Sequence, residues 1–316
     1  MSALLNVILP VFGIILCGYL AARFKVLGPQ SSEALNAFVY YFALPAILFI
    51  FVARAPVERI FYWPFLAAWG GGLFITFLIM ALISRFYYRD RLAVLTLRAM
   101  NGVFANTGYM GIPLVMAAFG DAAALPAIMA TVFLSVVGIS ALVTLVEIDL
   151  RREGSAKSIA RDVAVSLARN PLILPVLLAV NVPLFGLELP ASLAFFFDLL
   201  GNAAGPCALF ALGMFAAGQS LRAGIAETGV ITFVKLIVHP LVTWLLATRV
   251  FEMDYLWTVV TVIMASLPTG ASCFVFAQRY QIFVARTSSA TLATTALSVV
   301  TVSLLIAMTD TVIPAT

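Results

Sequence analysis

Two stretches, Asn106-Thr107-Gly108-Tyr109-Met110-Gly111-Ile112-Pro113 and Leu267-Pro268-Thr269-Gly270-Ala271-Ser272, set amide and hydroxyl side chains beside Gly and Pro in long apolar runs. Proline lacks a backbone donor and its ring clashes with the preceding turn, and glycine loosens the backbone, so a helix through either stretch is expected to break. Lipid cannot satisfy the backbone groups that a break frees, so a break survives only where protein encloses it or where it lines a cavity. The chemistry on offer is recognition: Asn106, Thr107, Gly108 and Pro113 at the first break, and Pro268, Thr269 and Ser272 at the second. A half-helix beginning after each break turns a partial positive charge inward, which suits a carboxylate or another anion. A plain proline kink competes with this reading at either position alone. Two breaks in corresponding positions, both with polar flanks, favour the binding site of a secondary transporter.

Further polar residues lie within apolar segments. Thr287, Thr291, Thr294, Ser298 and Thr301 share one helix face. They either line a substrate path or let helices pack closely, and Thr294 and Ser298 fall nearest mid-segment. Asp198, Lys235 and His239 are the candidates for a proton relay or a counter-charge, because ionisable groups inside a bilayer are costly. The competing expectation is that Lys235 and Arg98 snorkel to the cytoplasmic surface while His239 is a neutral core residue. Asp198 is the one carboxylate offered as a proton carrier. A Ser140–His239 hydrolytic dyad is the enzymatic alternative, but Gly138-Ile139-Ser140-Ala141 lacks the second Gly of a rhomboid-like motif. Neither H-E-x-x-H nor G-x-x-x-x-G-K-[ST] occurs, so neither metalloprotease nor ATPase chemistry is expected. Three cysteines at unrelated spacings (Cys17, Cys207, Cys273) and a single His239 argue against a disulfide framework or a metal site, and no cofactor is expected.

The elements that would position these residues follow from composition. The chain has 316 residues, 63% hydrophobic and 10% charged, against about 25% charged in a soluble domain. Apolar blocks of roughly twenty residues match a hydrocarbon core about 30 Å thick, and the ~10-residue alternation of a membrane β-barrel is absent. The expectation is an all-α polytopic membrane protein with segments near 3–22, 34–53, 62–83, 92–119, 122–148, 170–185, 191–217, 229–249, 255–279 and 287–309. The first reads as a retained helix, since it lacks a basic n-region and a small-residue cleavage site. Thirteen Lys/Arg residues fall in loops after the odd-numbered segments and three, Arg54, Arg59 and Arg249, in the opposite loops. That asymmetry places both termini outside the cell and accounts for the net charge of +4 without a nucleic-acid partner. Pro10 and Pro171 are 161 residues apart, as are Pro45 and Pro206, and Asn106-Thr107-Gly108 lies 162 before Pro268-Thr269-Gly270. Two five-helix repeats are therefore expected, 1–149 and 170–316, joined by a basic cytoplasmic linker over 150–169. An odd number of segments inverts the second copy.

Several stretches resemble the auxin efflux carrier family, which includes bacterial permeases and the plant PIN-formed exporters. They are Leu35 to Pro45, Asn106 to Leu114, Asn170-Pro171, Lys235 to Pro240, Leu267 to Tyr280 and Ala293 to Ser298. The resemblance implies ten helices in two inverted repeats, with helices 4 and 9 crossing at their breaks and Asn106, Pro113 and Pro268 at the crossing. It further implies a scaffold of segments 1, 2, 6 and 7, a moving domain of 3–5 and 8–10, and a homodimer through the scaffold. The expected partner is a small organic anion, a carboxylate such as malonate or an auxin-like acid, carried across the inner membrane by alternating access. Coupling to a proton or sodium, or an anion sensor that does not transport, are the alternatives. The central stretch from Asp149 to Arg169 is short, unlike the long hydrophilic loop of many plant members.

Overall fold

The computed structural model describes residues 2–150, 156–219 and 224–310. Thirteen helical rods run through them: α1 Ser2–Arg23, α2 Pro29–Ala53, α3 Val57–Tyr88, α4 Leu92–Val103, α5 Thr107–Phe119, α6 Asp121–Leu150, α7 Ala156–Ala168, α8 Ile173–Leu184, α9 Ala191–Ala217, α10 Ile225–Val250, α11 Tyr255–Ser266, α12 Ala271–Tyr280 and α13 Val284–Asp310. The expected boundaries hold to within a few residues, and both interrupted segments are broken. Among the described residues no strand forms; the one extended contact is an isolated antiparallel bridge between Ala105 and Thr269. Six rods, α2, α3, α6, α9, α10 and α13, are long and apolar enough to cross a bilayer, or seven if the pair α7 and α8, bent by 68°, counts as one. The linker expected over 150–169 contains a helix, α7; residues 151–155 lie outside the described residues.

Several rods contain a wide π turn with a local cause. The turns Val39–Ala43, Thr107–Gly111 and Val234–Val238 each end two residues before a proline, namely Pro45, Pro113 and Pro240. A proline ring pushes away the carbonyl one turn earlier and offers it no N–H, and an i→i+5 turn relieves both problems.

Packing separates the rods into two bundles. α1, α2, α8 and α9 contact mainly one another, and α3 to α6 pack with α10 to α13. The α1–α9 seam is backbone against backbone. A Cβ on Gly18 would strike the Phe210 carbonyl, and one on Gly213 would strike the Ile15 carbonyl. Small residues of this kind let membrane helices approach where lipid removes the hydrophobic drive for association. The outer faces of α8 and α9 stay apolar and exposed at Leu174, Leu177, Leu178, Phe195, Phe196 and Leu199, a surface suited to acyl chains.

Candidate functional site at the crossing of two interrupted helices

α4 ends at Val103 and α11 at Ser266, and the chain leaves both in extended conformations, with ψ of 93° at Phe104 and 155° at Leu267. The two extended stretches pair with each other. Asn106 N–H donates to the Pro268 carbonyl at 2.9 Å, and Gly270 N–H donates to the Phe104 carbonyl at 2.8 Å. Backbone groups that a break would strand are thereby satisfied by the opposite break, which is the condition for irregular backbone away from water. Glycine eases the approach: a Cβ on Gly270 would sit 3.1 Å from the Ala105 carbonyl oxygen, and one on Gly111 would sit 2.6 Å from Met264 Sδ. α5 and α12 start at this point and α4 and α11 end at it, so two positive and two negative helix ends converge there.

Side chains lock the crossing. The Thr269 hydroxyl donates to the Asn101 carbonyl at 2.7 Å, and Thr269 N–H donates to the Thr294 hydroxyl at 3.1 Å. Thr294 in turn donates to the Ala290 carbonyl at 2.7 Å. The Asn101 amide donates to the Thr287 hydroxyl at 3.0 Å. Two members of the threonine face, Thr287 and Thr294, thus reach the crossing, whereas buried Ser298 donates to Thr295 of its own helix. Asn101 was not among the residues singled out by sequence. The available signal was an amide within an apolar segment, and an i+5 spacing from Asn106 does not identify a shared site.

The other candidates divide. Asn106 is 5% exposed, its carbonyl accepts from Met110 and Gly111, and its side-chain Nδ2 has no hydrogen-bond partner. It is a buried donor at the crossing. Thr107 is buried, and Gly108 faces Leu44 and Thr131. Ser272 is half-buried in the first turn of α12. Pro113 borders a cavity of about 250 Å³ between the two bundles, with Val11 and Ile14 of α1, Leu44 of α2, and Asn202 and Gly205 of α9. Pro268 and Thr269 are buried in the crossing and do not line that cavity.

Asp198 makes a bidentate ion pair with Arg54, both N–O distances 2.8 Å, joining α9 to the end of α2. These hydrogen bonds raise the Arg54 guanidinium above its ordinary value and give Asp198 an arginine partner at the end of α2. Lys235 and Arg98 do not snorkel. Lys235 is 0% exposed; its ammonium donates to the Ala265 carbonyl at 2.6 Å and lies 3.1 Å from His239 Nδ1. The His239 ring, also fully buried, lies 5.9 Å from the Trp69 ring. Arg98 is 1% exposed, 2.8 Å from Asp90 and 2.5 Å from Glu227, with Arg286 2.8 Å from the same Glu227 and the Tyr88 ring 3.6 Å from its guanidinium carbon. Arg98 was expected to reach water because its stem is long, and Lys235 was given the same course as the alternative to a relay or counter-charge; nearby acceptors in the folded bundle bind both first. The hydrolytic dyad does not form, since Ser140 donates to the Val136 carbonyl and His239 Nδ1 faces Lys235.

A family model described as "Membrane transport protein" matches residues 3–306. A Rhizobium meliloti (strain 1021) protein named "Putative malonate transporter" is 34% identical over 307 residues, covering 96% of this chain and 95% of that one. An Escherichia coli (strain K12) protein named "Uncharacterized transporter YfdV" is 26% identical over 295 residues, covering 93% of each. With that match across nearly the whole chain, this multi-pass helical protein belongs to the membrane transport protein family of the auxin efflux carriers; it is a membrane transporter and not an enzyme.

Proposed function

We propose that the protein is a secondary carrier for a small organic anion, a carboxylate of malonate's size, moved by alternating access across the inner membrane. The observation that carries this reading is the buried pairing of two interrupted helices through residues 104–106 and 268–270. Converging helix N-termini and the unpartnered Asn106 amide offer donors to a carboxylate. The name of the Rhizobium relative supports the same substrate class. The cavity beside Pro113 lies between the two bundles, where relative movement would open it to either side.

The finer architecture is part of this proposal: ten spans in two inverted repeats, both termini outside, and a homodimer through α1, α2, α8 and α9. The Asn106 N–H bond to the Pro268 carbonyl and the Gly270 N–H bond to the Phe104 carbonyl flank the antiparallel bridge Ala105–Thr269. A local two-fold axis through that bridge exchanges the two bonds and relates positions 164 apart, within two residues of the 162 spacing in the sequence, which supports the repeat.

The test is counterflow of radiolabelled malonate and other small carboxylates in proteoliposomes. Wild type is expected to exchange at least one of them. Gly205→Leu, placed where a Cβ would lie 3.5 Å from the Pro113 ring, is expected to fill the cavity and stop exchange while the protein stays folded. Binding without counterflow, or full exchange by Gly205→Leu, overturns the carrier mechanism.

A further inference from the structure

We propose that the Lys235 ammonium is a resident cation at the crossing, taking the place of a coupling ion, so that anion transport proceeds without sodium. This rests on the carrier reading and states which ion that carrier does without. In secondary transporters of broken-helix design, the C-terminal ends of half-helices and the unwound carbonyls beside them hold the coupling cation. α11 is such a half-helix, and its last carbonyls have lost their intrahelical donors. The Ala265 carbonyl would accept from the N–H of residue 269 in a continuous helix, but Thr269 N–H donates to Thr294 instead. The Ser266 carbonyl would accept from residue 270, whose N–H donates to Phe104. Lys235 delivers its ammonium to the vacated Ala265 carbonyl at 2.6 Å, from a π turn of α10, with His239 Nδ1 3.1 Å away.

The charge accounting points the same way. Lys235 is fully buried and makes no ion pair among the described residues; Asp90, in the turn after α3, and Glu227 of α10 are held by Arg98. A buried charge is costly unless compensated. The negative end of α11 offsets part of it. An anionic substrate at the crossing supplies the remainder, so the same residue makes the site select for an anion and makes a sodium ion redundant.

Two measurements test this. In proteoliposomes, wild-type carboxylate counterflow is expected to be equal in sodium and in choline media. Lys235→Gln is expected to lose roughly ten- to a hundredfold, the loss of one charge-assisted contact. In detergent, wild-type thermal unfolding is expected to be insensitive to replacing choline by sodium. Lys235→Ser, which opens space beside the Ala265 carbonyl, is expected to unfold at lower temperature and to be partly restored by sodium but not by choline. Sodium dependence of wild type in either assay, or full counterflow by Lys235→Gln, overturns the inference. If wild type exchanges no carboxylate in any medium, the carrier reading fails instead, and the wild-type unfolding comparison still decides whether a sodium site exists.

Discussion

Thr269→Val isolates the contribution of one hydroxyl to the crossing. Valine keeps the shape of threonine and the Thr269 N–H bond to Thr294, so no cavity opens and the backbone pairing has no direct reason to fail. What is lost is the 2.7 Å bond to the Asn101 carbonyl. α4 ends two residues later, so that carbonyl lies in the last turn of the helix, and the site is fully buried at both residues. Leaving a buried acceptor unsatisfied costs about 1–3 kcal/mol. If that cost falls on local opening of the crossing, the Asn106 and Gly270 amides should exchange with deuterium roughly 5- to 150-fold faster, at 1.36 kcal/mol per factor of ten. Hydrogen-exchange mass spectrometry on peptides spanning 104–108 and 266–272 measures this, with Thr269→Ser as the control that retains the hydroxyl and loses only a methyl. Equal exchange in Thr269→Val and wild type, or faster exchange in the serine variant than in the valine variant, refutes the claim that the hydroxyl fastens the two breaks.

Three further outcomes are expected. Arg98→Ala removes a buried cation shared by Asp90 and Glu227, leaving Glu227 with Arg286 and Asp90 with the Ser84 hydroxyl, and should destabilise by about 3–5 kcal/mol, whereas Arg98→Met with Glu227→Leu should cost less than the single change; denaturation of the purified variants in detergent compares them. Asp198→Asn disrupts a pair whose side chains are 38–51% exposed, a class worth about 0–1 kcal/mol, so carboxylate counterflow should stay within about twofold of wild type, and its abolition would restore Asp198 as a proton carrier. Gly213→Ala drives a Cβ into the Ile15 backbone and should separate α1 from α9 at a cost of about 1–3 kcal/mol, read as a lowered unfolding temperature, while Ala→Gly at half-buried Ala22 serves as the comparison.

The apolar periods, the Lys/Arg asymmetry and the two Gly/Pro interruptions are local properties, and they were sufficient to identify an all-helical membrane chain and the two segments that break. Pro113 and Pro268 act on the turn immediately before them, so their effect is visible within a few residues of sequence. The partners of the freed groups were not visible. Asn106 with Pro268, Thr269 with Asn101 and Lys235 with Ala265 join positions 162, 168 and 30 residues apart, and hydrogen bonding depends on where helices cross. Burial shows the same limit: Arg98, Lys235 and Asp198 are alike as ionisable residues in apolar runs, yet one is held by two carboxylates, one by a helix end and one by a surface arginine. Sequence alone determined which residues could not remain in regular, lipid-facing helix, because that follows from covalent geometry and solvation. Only the tertiary structure decided what each of them meets, because an acceptor in a low-dielectric interior is supplied by a different helix.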